Sequence, residues 1–263
     1  MPGASVAPRQ CGLQPSAEFN QENSVLKLGI LTLLAAVCFL SAAQIHAQTN
    51  YPNVEDGTTG WGSCSDCAGG SSKAAAYWMA QFQSNPSLSG TSTEFFISGN
   101  QPYANALFWR RIGAQDWATY YNWDFWVYVD RASLYANSLE YDFFQFVNHR
   151  EYMFGSQCDY TTGHWDIWNQ ATNQWVQTPI ACHKLTPNVW HHIVWQYHRT
   201  PDTLMHYDWL AVDGSWYPLN WTEPSNWMPS GWTDNMGMQW QLDTGTGPLA
   251  FHEWVDKVNL KIW

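Results

Sequence analysis

The segment Leu139-Glu140-Tyr141-Asp142-Phe143-Phe144-Gln145 carries two carboxylates two residues apart within an apolar run. Alternate side chains of a strand share a face, so Glu140 and Asp142 point the same way, roughly 6–7 Å apart. Carboxylates that close shift each other's pKa, and one can hold a proton while the other is ionised. Hydrolysis of a glycosidic bond uses such a pair, which makes Glu140 and Asp142 the catalytic candidates if the chain is an enzyme. An acid to act with Glu140 would come from elsewhere, with Glu94, Glu151 and Glu253 as the candidates. The same pair suits a hard cation, and calcium is the one it would take. A solvated strand face, or hydrogen bonds to neighbouring strands, accounts for the two acids equally well.

Tryptophan is the second signal: the chain has 19 in 263 residues, more than one core needs. Its flat apolar face and single N–H donor suit it to stacking on sugar rings as well as to cores. Trp165, Trp168 and Trp175 cluster in a turn-rich stretch with Asp166 between them. Trp126, Trp165 and Trp168, with Gln145, His192, Gln196 and His198, are the candidate ligand-binding residues. The histidines also read as satisfied strand residues, and a zinc site on His192 and His198 would need a third ligand that the sequence does not supply. No nucleophile elbow, phosphate-cradling loop, zinc-protease helix or dinucleotide fingerprint is present, so no cofactor is expected. Asn220-Trp221-Thr222 matches a glycosylation sequon.

Composition bounds the partners and the compartment. The formal charge is −11, with 22 acidic and 11 basic residues, which disfavours nucleic acid and anionic lipid as partners. Residues 26–43 (LKLGILTLLAAVCFLSAA) form an apolar run behind Lys27, with small residues after it. That is the pattern of a secretory signal peptide, so residues 1–47 are expected to be removed and the mature chain to be secreted, extracellular or periplasmic, with no membrane contact after cleavage. Cys64, Cys67, Cys158 and Cys182 then remain. An even number in an oxidising compartment implies two disulfides, and Cys64–Cys67 with Cys158–Cys182 is the pairing chosen among three. A zinc reading of these cysteines lacks a second closely spaced pair.

The elements that must position these residues are mostly strands. Residues 122–130 (NWDFWVYVD), 138–147 (SLEYDFFQFV) and 190–199 (WHHIVWQYHR) alternate with period two. Further strands are expected at 106–112, 152–156, 164–168, 205–212, 236–242 and 253–263, and turns at Asp213-Gly214 and Asp243-x-Gly245. Residues 73–83 (KAAAYWMAQFQ) read as one short helix stopped by Asn85-Pro86. The expected architecture is all-β, a two-sheet antiparallel jelly-roll sandwich over residues 91–263. An extension over 48–90 carries the Cys-x-x-Cys pair and the helix.

The strand around Glu140 resembles the central strand of the concanavalin A-like lectin/glucanase superfamily. Family 16 glycoside hydrolases carry E-x-D-x-x-E or E-x-D-x-E there, the first Glu as nucleophile and the last as acid/base. Glu140 and Asp142 match the first two positions; Gln145 or Phe144 stands at the third, and neither can deliver a proton. Legume lectins begin a metal site with E-x-D, which Glu140, Asp142 and Asn148 partly match. Trp190-His191-His192-Ile193-Val194 and the 254–260 stretch resemble strands of the laminin-G-like branch. The resemblance implies a polysaccharide or glycan as partner. Three functions follow: a secreted carbohydrate-binding module with an aromatic groove floored by Glu140 and Asp142, a glycoside hydrolase acting on a β-glucan, or a structural envelope or adhesion module.

Overall fold

A computed structural model describes residues 47–67 and 73–263; the expected signal run 26–43 lies outside the described residues. The first strands are β1 (Thr49–Tyr51), β2 (Trp61–Ser65), β3 (Lys73–Ala74), β4 (Ala76–Gln83), β5 (Ser92–Gly99) and β6 (Ala104–Gly113). β7 (Tyr120–Val129), β8 (Ser138–Val147), β9 (Arg150–Phe154), β10 (Ser156–Asp159), β11 (His164–Asn169) and β12 (Gln174–Ala181) follow. The chain closes with β13 (Trp190–Arg199), β14 (Leu204–Val212), β15 (Ser215–Pro224), β16 (Asn226–Trp227), β17 (Asn235–Asp243) and β18 (Leu249–Ile262). Among the described residues no helix is long and apolar enough to cross a membrane.

The strands form two sheets. One runs β15-β14-β13-β7-β18-β5-β4, with β1 added to β18; the other runs β12-β11-β10-β8-β17-β6-β2, with β9 extending along β8, β16 on β9 and β3 on β6. Every pairing is antiparallel except β3 with β6. The alternation seen in the sequence decides which side of each sheet is covered. Phe125, Val127 and Val129 on β7, Leu139, Tyr141 and Phe143 on β8, and Ile193, Trp195 and Tyr197 on β13 all enter one core between the sheets. Trp123, Trp165, Trp195 and Trp240 are its largest fully buried side chains. Rings there meet both stacked, as Trp195 does on Tyr197 at 5.5 Å and 12°, and edge-on, as Trp123 does on Trp240 at 5.6 Å and 70°, the latter an arrangement the ring quadrupoles favour.

Two expectations are corrected. The helix over 73–83 is instead β3 and β4, and residues 49–83 supply edge strands to both sheets, so the sandwich begins well before residue 91. The alanines of KAAAYWMAQFQ favour a helix locally. Pairing with β5 overrides that preference, because it turns Tyr77 and Met79 towards the core and leaves Trp78 outside. A register shift between Ala80 and Gln83, with Phe82 at φ 57°, ends the regular strand. The disulfides are Cys64–Cys67 and Cys158–Cys182, the sequence-order pairing, and both belong to the ten-stranded sheet. The Asp213-Gly214 turn joins β14 to β15 with both residues at positive φ, 49° and 80°, as a tight hairpin requires.

Candidate functional site

Because β8 pairs with β17 without a register shift from Ser138 to Phe146, its even-numbered side chains all leave the core on the outer face of the ten-stranded sheet. Glu140 and Asp142 therefore share that face, as the sequence indicates. Across the strands, Asp142 lies beside Gln239 on β17, and Glu140 lies between Gln241 on β17 and Gln157 on β10. Gln239 Nε2 donates to Asp142 Oδ2 at 2.7 Å, and the Ser156 backbone N–H donates to Oδ1 at 2.9 Å. Gln241 Nε2 donates to Glu140 Oε1 at 2.5 Å and to Asp243 Oδ2 at 3.2 Å. One strand further, Gln157 Nε2 donates to Asp166 Oδ2 at 2.9 Å, leaving Asp166 Oδ1 buried without a partner.

Among the described residues no Lys or Arg pairs with these carboxyls. Asp243 lies within hydrogen-bonding reach of Glu140, and burial, reinforced by the like charges of Asp243 and Asp142, pushes the Glu140 carboxyl well above the usual range. Burial also raises Asp142, to about 7, and lifts Asp243 and Asp166. Burial and like charge thus favour the protonated form of these carboxyls over the ionised one. The side chains are closely covered, with Glu140 9% and Asp142 5% exposed.

Next to the acids the same face opens into a cleft of about 300 Å³ lined by Leu107, Trp109, Phe144, Phe146, Trp232 and Gln239, with Arg111 at its edge. Gln239 joins the two parts, since it lines the cleft and holds Asp142. The rings lie low because their cross-strand neighbours lack side chains. A Cβ on Gly62 would sit 2.3 Å from the Trp109 ring, and one on Gly237 would sit 2.7 Å from the Phe144 ring. Trp232 closes the side, edge-on to Phe146 at 4.8 Å and about half exposed. Trp168 stands on the same face beyond Gly155, edge-on to Trp175 at 5.2 Å.

The other expected ligand contacts are elsewhere. Trp165 is in the core, edge-on to Trp195. Gln145 is also inside: being odd-numbered on an unbroken strand, it faces away from Glu140 and Asp142. There it accepts from the Tyr121 hydroxyl at 2.5 Å and Arg199 Nε at 2.6 Å, and donates to the Gln115 carbonyl at 2.8 Å. Trp126, His192, Gln196 and His198 lie on the outer face of the eight-stranded sheet, the opposite side of the sandwich. The candidate acids scatter likewise. Glu94 is on that outer face bonded to His252 at 2.7 Å, and Glu253 is in the core bonded to the Tyr141 hydroxyl at 3.2 Å. Glu151 shares the face of Glu140 but pairs with Phe146, six residues or roughly 20 Å along the strand. Asn148 is at the turn after β8, equally distant from the acids. Among the described residues no group of three or more His, Cys, Asp or Glu side chains is arranged to hold a metal ion.

Asp243, Trp109, Trp232 and Gln239 are site residues that sequence reasoning missed. Asp243 reads as a turn residue, and only the pairing of β17 with β8 brings it to Glu140. Trp109 lies within an expected strand, and its face has meaning only once β6 is known to flank β17 and β2.

No protein-family model matches the chain, and no curated protein matches its sequence. Among solved structures it is similar to a carbohydrate-binding module from the β-sandwich superfamily, at TM-score 0.43 and 10% identity over 81% of this chain and 62% of that one. It is similar to a marine PL-14 alginate lyase from Aplysia kurodai, at TM-score 0.49 and 11% identity over 70% of this chain and 88% of that one. A third is arcelin-5, a lectin-like defense protein from Phaseolus vulgaris, at TM-score 0.45 and 10% identity over 82% and 98% of the two chains. The match thus spans less than two thirds of the first of these. The two-sheet sandwich rests on the strand pairings themselves, and no residue role is carried over from these proteins.

Proposed function

We propose that the chain is a secreted carbohydrate-binding β-sandwich that takes a polysaccharide along the outer face of its ten-stranded sheet. The observation that carries this reading is the union of an aromatic cleft with a polar floor. Trp109, Phe144 and Trp232 offer ring faces and edges, and Gln239 with Asp142 lies directly alongside. A sugar ring needs both, an apolar face to stack its C–H side and fixed polar groups for its hydroxyls. The acids beneath would strengthen the floor as acceptors when ionised. The names of the similar proteins, a carbohydrate-binding module, an alginate lyase and a lectin-like protein, agree with a glycan as ligand. Two disulfides agree with an oxidising compartment.

Retention of the protein in affinity gels containing soluble β-glucans, and on insoluble polysaccharides, tests this directly. Retention that falls in Trp109→Ala and persists in Glu140→Gln is expected, with no release of reducing ends. Release of reducing ends that disappears in Glu140→Gln would replace the binding module with a hydrolase. No retention on any polysaccharide would reject both.

A further inference from the structure

A second cleft, of about 570 Å³, opens where the β8–β9 turn meets the β13–β14 turn, and its lining includes Asn148, Arg150, Tyr152, Arg199, Thr203 and Trp227. Its chemistry is the reverse of the acidic face. In a chain with twice as many acids as bases, two arginines share this lining, and among the described residues no carboxylate joins them there. Both guanidinium groups are held in place by neutral acceptors. Arg150 Nε donates to Ser225 Oγ at 3.1 Å, and its Nη2 donates to Thr203 Oγ1 at 2.9 Å and the Ser225 carbonyl at 3.2 Å. Arg199 Nε donates to Gln145 Oε1 at 2.6 Å and to the Tyr121 hydroxyl and Ala118 carbonyl, each at 3.1 Å. Its Nη2 donates to the Asp116 carbonyl at 2.6 Å. Asp202, on the neighbouring turn, accepts from the Thr200 hydroxyl.

Among the described residues no carboxylate is bonded to either guanidinium, so two part-exposed positive charges are open to an anion in the cleft. Guanidinium is also the group best matched to planar or tetrahedral oxyanions. The lining adds a platform. Arg150 lies over the Trp227 ring at 4.6 Å, bracing it, while Trp227 remains 74% exposed. Arg199 similarly lies over Tyr152 at 5.3 Å. A flat exposed ring beside an unpaired guanidinium selects a ligand that is both ring-shaped and anionic.

We propose that this cleft binds an acidic sugar, taking its carboxylate or sulfate ester on Arg150 and Arg199 and its ring on Trp227. The site is separate from the Trp109 cleft and does not depend on the reading of that face. The two sources of the anion are told apart by titrating the full chain calorimetrically with trigalacturonate and with a sulfated galactan oligosaccharide. A neutral galactan oligosaccharide serves as control. At least one acidic probe is expected to bind, and Trp227→Ala and Arg150→Gln should each weaken it roughly tenfold to a hundredfold. Trp109→Ala should leave that affinity unchanged. Trp227 is exposed, so Trp227→Ala tests the site even if Arg150→Gln fails to fold. Absence of binding by both acidic probes overturns the proposal. So does binding that survives Trp227→Ala, or that is lost in Trp109→Ala.

Discussion

On the outer face of the eight-stranded sheet, histidines are matched to carboxylates and several rings stack in parallel. His192 pairs with Asp124, His198 with Asp208 and His252 with Glu94, at 2.7–2.8 Å. Trp126 stacks on His192 at 4.5 Å, His198 on His206 at 4.3 Å and Tyr120 on Trp263 at 5.6 Å, all within 8° of parallel. On the outer face of the ten-stranded sheet, Glu140, Asp142 and Asp243 crowd together with no Lys or Arg paired to them among the described residues, Asp166 Oδ1 and Asn105 Oδ1 are buried without partners, and an aromatic cleft stands open beside them. The first face pairs its histidines and carboxylates and leaves the Trp254 Nε1 buried without a partner, and its aromatic content reflects cross-strand pairing. The second tolerates local conflict, and conflict retained in a folded protein is where function is expected. Aromatic abundance alone, which points to Trp126 and His192, does not separate the two faces; the crowding of carboxyls does.

The largest expected effect concerns what braces the conflicted sheet. Cys158–Cys182 closes a span of 24 residues containing β11 and β12, and the eight-stranded sheet has no counterpart. Replacing both cysteines with serine should cost about 3 kcal/mol in denaturant unfolding. Loss of Cys64–Cys67, with a separation of 3, should cost less, because the loop it closes is short.

Next in size is the dependence of stability on pH. Burial raises Glu55 and Glu253 to about 8 and Asp142 to about 7. A carboxyl whose pKa is higher folded than unfolded binds more protons in the folded state. Its contribution is fully present below the ordinary carboxylate pKa of about 4 and is lost as pH rises through the folded value. The unfolding free energy should therefore fall steadily between pH 5 and 9, by on the order of a few kcal/mol, and the melting temperature should fall with it. Glu140→Gln keeps an acceptor for Gln241 and a donor for Asp243 while removing one charge. It should raise stability at pH 8–9 by about 1–2 kcal/mol and change it little at pH 5. A rise at both pH values would mean that the conflict on this face is not electrostatic.

The smallest effect is expected on the matched face. His252→Phe removes the hydrogen bond to Glu94 while keeping a ring against Trp254, at 5.4 Å and 14° in the protein. A cost below about 1 kcal/mol is expected in thermal unfolding, with glycan retention unaltered. A large loss of retention would transfer the binding site to the eight-stranded sheet.

Much of this was legible in the sequence because period-two patterns carry their own meaning. The alternation along 122–130, 138–147 and 190–199 gave three long strands and placed Phe125, Tyr141 and Trp195 in the core. It also put Glu140 and Asp142 on one face. Parity does not say which outer faces belong together, and Trp126 and His192 lie on the opposite side of the sandwich from Glu140 and Asp142. Gln145 shows a different limit. A spacing of five from Glu140 matches a motif, yet on an unbroken strand an odd spacing reverses the side chain. Arg150 and Arg199 are 49 residues apart in sequence, and only turn packing places them in one cleft. In residues 73–83 the alanines outweighed Tyr77, Trp78 and Phe82, whose β preference is expressed through the partner strand.

The contrast between the faces is tested most directly by oxidative footprinting of tryptophan in the protein with and without a retained polysaccharide. Trp232, exposed at the cleft, and Trp109 within it should become protected, while Trp78 and Trp216, exposed on the other sheet, should oxidise at unchanged rates. Protection of Trp78 and Trp216 with Trp109 and Trp232 unchanged would contradict the assignment of the ten-stranded sheet as the binding face.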